Sequence, residues 1–203
     1  MSSQVILRYS FKPGEIQVHR QTLTLVLEQP DGSKAGGRVI CDLTQKVLTV
    51  QGDRFHIEFE QKVVSREGAL GEQVPLQLAE GRSRCWIDAR GALLEHMDSQ
   101  LSPTPPLPAE AVAPGQLWSV VQATPAGGQL ELQFQLEKLE SGVAHLVSHA
   151  RPAPGATGEQ SEIRGSLQFQ LDPGGPLRST TVLLSQFPDG RKVHQVVQLE
   201  RIS

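Results

Sequence analysis

The pentapeptide Leu132-Gln133-Phe134-Gln135-Leu136 recurs, residue for residue, as Leu167-Gln168-Phe169-Gln170-Leu171. In both copies apolar and polar side chains alternate strictly. That is the period of an extended chain with one buried face and one wet face. The same pattern spreads outward from the pentapeptides. Phe55, Ile57 and Phe59 alternate with His56, Glu58 and Glu60. Val39, Cys41 and Leu43 open a run that continues through Val47 and Val50, and residues 16–29 carry Leu23, Leu25 and Leu27 on one face. Further strand patterns fall at 5–11, 84–88, 93–97, 117–123, 130–139, 143–149, 163–171, 177–187 and 193–202. Pro13-Gly14, Asp31-Gly32 and Gly52-Asp53 mark turns, and the pairs Gly36-Gly37, Gly127-Gly128 and Gly174-Gly175 read as turns as well. Helical periodicity is nowhere sustained. The expectation is an all-β, antiparallel fold of about a dozen strands, arranged as a barrel-like or sandwich unit.

The strands divide into two similar halves. Pro13-Gly14-Glu15-Ile16 matches Pro114-Gly115-Gln116-Leu117 in type, and Asp88-x-x-Gly91-x-Leu93 matches Asp172-x-x-Gly175-x-Leu177 in spacing. Asp at the first position and Gly at the fourth suit a type I turn whose last residue takes positive φ. The expected organisation is a first β repeat over 1–100, a Pro-rich linker over 101–113 and a second repeat over 114–203, together one structural unit. The linker holds four prolines in the eight residues 101–108. Residues 108–113 have room for one helical turn. The first half is longer between its anchors, and its excess, near 68–81, holds Leu70, Val74, Leu76 and Leu78. An apolar insertion of this kind is an extra strand, a plug on the core, or a surface for a ligand or partner.

Composition excludes several classes of function. The 203 residues carry a net charge of −3 without a basic cluster, which argues against nucleic acid or anionic lipid surfaces as partners. Two Trp, one Tyr and six Phe are too few for platforms that stack bases or sugars. Asn is absent, so there is no acceptor for Asn-linked glycosylation. No apolar run reaches the length of a membrane span, and the strand pattern starts too early to leave a signal peptide. As written, the chain is expected to be cytoplasmic, or to belong to the cell envelope if its start is a processed end.

No motif carries chemistry. Cys41 and Cys85 lack C-x-x-C spacing and read as buried, reduced thiols rather than a disulfide or a zinc site. His145 and His149, four apart on a strand, stand ~13 Å from one another, too far to share an ion. Glu58 and Glu60 share a strand face at a separation known from glycoside hydrolases, but it is the wet face. Nucleophile elbows, zinc-protease helices, phosphate loops and dinucleotide fingerprints are all missing from the sequence. Trp86 and Trp118 fall near matching strand ends as core or rim residues. No catalytic, cofactor-binding or metal-ligating residue is assigned, and no cofactor is expected.

At its two Pro-Gly openings and two Asp-x-x-Gly-x-Leu turns, the chain resembles duplicated bacterial β-proteins of unassigned function. It is similar in style to the curved half-barrel lipoprotein carriers of the LolA and LppX types. That resemblance implies a strongly bent antiparallel sheet around an apolar cavity, and carries no functional residue with it. Three functions follow as expectations. First is a non-catalytic binding or assembly module, meeting a protein partner through a strand edge or through Leu70, Val74, Leu76 and Leu78. Second is a carrier of an apolar small molecule or lipid, its cavity lined by residues such as Leu25, Ile57, Phe134 and Phe169. An enzyme with an unfamiliar site ranks last.

Overall fold

The computed structural model describes residues 4–75, 80–95, 105–123, 129–152 and 160–203. Ten strands follow in order: β1 (Ile16–Glu28), β2 (Lys34–Gln51), β3 (Arg54–Glu67), β4 (Gly81–Asp88), β5 (Leu117–Ala123), β6 (Gln129–Glu140), β7 (Val143–Pro152), β8 (Gln160–Gln170), β9 (Gly175–Gln186) and β10 (Lys192–Arg201). A short helix, α1 (Gly68–Gln73), stands between β3 and β4. The alternating runs around both pentapeptides became β6 and β8, with Phe134, Leu136, Leu167 and Phe169 buried.

All ten strands form one antiparallel sheet in the order β4-β3-β2-β1-β10-β9-β8-β7-β6-β5. This corrects the expected barrel or sandwich: the sheet is single and open, with β4 and β5 as its two edges. Each half is a meander of hairpins, and the halves join where β1 pairs with β10, as in Leu23 opposite Val197.

Two further expectations are corrected. Residues 5–11 are not a strand. Their side chains do alternate, with Leu7, Tyr9 and Phe11 buried and Ile6 60% exposed, but the segment joins no ladder beyond an isolated bridge from Val5 to Val112. Residues 108–113 form no helical turn; Leu107, Pro108 and Val112 are buried and Val112 holds the bridge. Of 93–97, Leu93 makes a single bridge to Ile87, while residues 96–97 lie outside the described residues.

The segment 5–11 is a strap across one face of the sheet. The Tyr9 amide donates to Ala89 O, just past β4, at 2.8 Å, and the next amide, Ser10, donates to Gly174 O, just before β9, at 3.1 Å. Strands β4 and β9 are five inter-strand steps apart, about 24 Å along a flat sheet. Consecutive amides reach both, so the sheet curls and the strap lies in its concave side. Aromatic contacts trace the same bridge: Phe55 on β3 meets Phe11 edge-on at 5.1 Å, Phe11 stacks with Tyr9 at 5.8 Å, and Tyr9 meets Phe169 on β8 at 5.3 Å. Residues 105–113 pack beside the strap. The Tyr9 hydroxyl donates to Pro105 O, and the Arg8 guanidinium donates to Pro108 O and Ala109 O. The main core is therefore concave. It joins Leu7, Tyr9, Phe11, Leu107 and Val112 to inward residues of β2, β3 and β4 on one flank and of β6, β7 and β8 on the other.

The two Pro-Gly openings are the same local structure. Gly14 and Gly115 both take positive φ. The Gly14 amide donates to Val47 O and the Gly115 amide to Leu136 O, while Val47 and Leu136 donate back to Glu15 O and Gln116 O. The two Asp-x-x-Gly turns differ. Gly91 has positive φ, as the type I reading requires, whereas Gly175 enters β9 without it.

Gly174 lies directly under the strap: a Cβ there would stand 1.8 Å from Arg8 O. Gly174→Ala is expected to push the strap off the sheet and to cost about 1–3 kcal/mol, as overpacking does. Gly115→Ala, which meets nothing within 4 Å, bears only the strain of its positive φ. Urea denaturation of both variants beside the parent checks the difference; an unchanged midpoint for Gly174→Ala would show that the strap does not pin the sheet.

Candidate functional site

The strap fills only one end of the concave face. Beyond it, toward the far end of β1, the inward residues are Leu23, Leu25 and Leu27, flanked by Val39 and Val63 on one side and by Val193, Val197, Leu183 and Ile163 on the other. Of these, Val39 alone is buried; the rest are only partly buried. Strand alternation explains the placement, because residues paired across an antiparallel ladder share a face. Two long neighbouring strands, β1 and β2, carry the apolar row past the point where the strap ends. The result is a half-covered apolar trough, open where a closed barrel would be sealed.

Helix α1 covers the β2 flank of this trough. Gly36 and Gly37, read above as a turn, lie inside β2 opposite Val26 and Leu25. The lack of a side chain on Gly37 lets the helix backbone touch the sheet: a Cβ there would stand 2.0 Å from Gly71 N. Arg66 Nε donates to Gly71 O at 3.0 Å and ties the helix back to β3. Val74, the C-cap, packs against the small cluster of Val39 and Cys41 with Leu23 and Val63. Of the four apolar insertion residues, Leu70 is partly buried on α1 and Val74 partly buried beside it, while Leu76 and Leu78 lie outside the described residues. The described part of the insertion is a plug on the chain's own sheet.

The four residues expected to line a cavity do not act together. Ile57 and Phe169 are wholly buried in the strapped core, Phe134 stacks on Trp118 at 5.5 Å, and Leu25 alone faces the trough. The sequence reading missed Val193, Val197, Leu183 and Ile163 because nothing in a lone chain says that β9 and β10 pair beside β1. It also missed that the chain's own first residues occupy half of the face.

The remaining polar candidates have structural partners. Glu58 and Glu60 lie on the convex face with Arg84 and Arg82 at 2.7 and 3.0 Å; the guanidinium of Arg82 holds the Glu60 carboxyl below its ordinary range. His145 is also convex, 3.9 Å from Glu140. Trp86 stacks on His56 at 4.9 Å on the convex side, near a shallow depression of about 260 Å³ lined by Gln51, Arg54, Trp86, Leu94 and Glu95. Among the described residues no three His, Cys, Asp or Glu side chains are grouped to hold a metal ion, and no helix is long and apolar enough to cross a membrane.

No protein family matches the chain, and no curated protein matches it. Among solved structures, one of lipovitellin, described for its lipid–protein interactions, has a TM-score of 0.61 at 8% identity. The match covers 95% of this chain and 25% of that one, so the chain spans about a quarter of the length of this neighbour. The shared property is the fold.

Cys41 and Cys85 sit on β2 and β4 with β3 between them, and both are buried thiols. Burial pushes the Cys85 thiol up to about 11 and raises Cys41 as well. Both are thus protonated at pH 8, and the reactive thiolate is scarce. Neither is expected to react with Ellman's reagent in the native protein at pH 8, and both should react once guanidinium unfolds it. Rapid reaction of Cys85 before unfolding would contradict a closed core around β4.

Proposed function

We propose that the chain binds an apolar small molecule or a single acyl chain in the half-covered trough. The observation that carries this reading is the partly exposed apolar row of Leu23, Leu25, Leu27, Val193, Val197 and Leu183 on the concave side. Monomeric proteins rarely leave a contiguous apolar surface inside a concavity without a use for it. The lipovitellin likeness supports the choice of ligand, since lipid contacts are described for that protein. The lining suits passive binding: the trough is lined by hydrocarbon with Gln195, Thr181 and Ser185 between, and none of these is a nucleophile paired with a base.

Two experiments test it. Native mass spectrometry of protein purified gently from its own host should find a bound mass of a few hundred daltons that leaves on denaturation. In parallel, binding of a fluorescent fatty acid is compared across variants. Leu25→Gln with Val197→Gln should weaken it by about tenfold or more, the loss of two large apolar contacts. Ile57→Val in the strapped core should lower stability by about 0.5–1.5 kcal/mol and leave binding unchanged. Binding that follows stability rather than the trough would refute the proposal.

A second reading, contact with another protein through a strand edge, is favoured by β5. This edge strand carries no charge, and its Leu117 and Val121 are 54% and 62% exposed. Edge strands are ordinarily guarded by charge, as β4 is by Arg82 and Arg84. If β5 is a docking edge, the protein should self-associate or capture a partner in light-scattering measurements, and Val121→Lys should end it. A monomer at high concentration with no partner from its host would remove this reading.

A further inference from the structure

The strands sort their charges by face. In the described strands Asp and Glu take convex positions, among them Glu28, Asp42, Glu58, Glu60, Glu162 and Glu200, or sit exposed in the β6 bulge as Glu137. Convex Arg and Lys are there to match them, as in Arg20 with Asp42 and Arg178 with Glu200. The concave positions hold no carboxylate. They hold two guanidinium groups: Arg66, opposite Val39 and tied to α1, and Arg201, opposite His19.

Arg201 is the unusual one. It is partly buried at the end of β10, opposite His19, and its side chain makes no hydrogen bond or ion pair with any described residue. Its neighbour His19 is 2% exposed, with Nε2 3.5 Å from Pro176 O. Burial, then the charge of Arg201, lower the His19 pKa, against a raising effect from the Pro176 carbonyl. His19 is therefore neutral at pH 7 and adds no second charge. A guanidinium is costly to hold against an apolar wall without a partner. From Arg201, the inward row along β10 runs through Leu199, Val197 and Gln195 to Val193. The eight steps from Arg201 to Val193 rise about 27 Å, enough for one acyl chain, which spans roughly half of the ~30 Å hydrocarbon core of a bilayer.

We propose that Arg201 binds the oxyanion head of a single-chain amphiphile whose tail lies along Leu199, Val197, Leu23 and Leu25. The head is a carboxylate or a phosphate, and the guanidinium fork takes either in a bidentate grip. This inference rests on the trough reading above and adds to it the class of ligand and its direction: head toward the strap, tail toward α1.

The test separates the two. Affinities for palmitate and for hexadecanol, which share a tail and differ in charge, are measured by calorimetry at low salt for the parent, Arg201→Gln and Arg201→Lys. The parent should favour palmitate about tenfold, as a charge-assisted hydrogen bond provides. Arg201→Gln should bring the two within about twofold and leave hexadecanol where it was, while Arg201→Lys keeps part of the preference. An equal affinity in the parent, or a preference that survives Arg201→Gln, overturns the proposal but leaves the trough intact. Failure to bind either probe overturns both. Palmitoyl lysophosphatidate, run beside palmitate, tells a phosphate head from a carboxylate by which binds tighter. Inorganic phosphate alone should displace neither; displacement would mean a simple anion site and would also overturn the proposal.

Discussion

Two consecutive backbone amides set the shape of this molecule. Those of Tyr9 and Ser10 donate to carbonyls at the ends of strands five places apart in the sheet. Twist alone coils a ten-stranded sheet but does not say where it stops. The strap does: its three inward side chains, Leu7, Tyr9 and Phe11, fill the space between the flanks and draw them together. The hydrogen bonds then hold one end at a fixed width. The Tyr9 hydroxyl and the Arg8 guanidinium lock residues 105–109 in place beside it, so the connection between the two meanders is part of the same clamp.

Much of this was legible and some was not. The strict alternation of the pentapeptides and of Phe55, Ile57 and Phe59 carried the strand assignments, because each of those strands has one wet and one buried face. The same rule misled at residues 5–11. Alternation reports an extended chain with one side buried, and a strap over a core satisfies it as well as a strand in a ladder does. The prolines of 101–108 pointed to an extended linker, and Leu107 and Pro108 within it are buried: a chain without ladder amides to satisfy can still pack on a core. Gly36-Gly37 misled for a related reason. Glycine inside a strand often marks the close approach of another backbone, and here α1 lies on it.

The candidate site was half legible. Leu23, Leu25 and Leu27 were visible as one face, but the pairing of β1 with β10 is a contact between residues some 170 positions apart. No local pattern encodes it. The charge sorting was visible only after pairing was known, since the face that Arg201 takes depends on its register with His19. The apolar insertion drew attention for its composition. Its described part, Leu70 and Val74, is partly buried on α1 and beside it.

An open sheet clamped at one end behaves as a spring clip. The edges β4 and β5 are not joined to each other, so the far mouth can widen or narrow through small changes of twist shared among nine strand pairs. No ladder hydrogen bond has to break for that. A closed barrel has a circumference set by strand number and stagger and admits only what fits it. Here width is a soft coordinate at the mouth and a stiff one at the clamp, which lets one chain grip occupants of different girth while holding its own core unchanged.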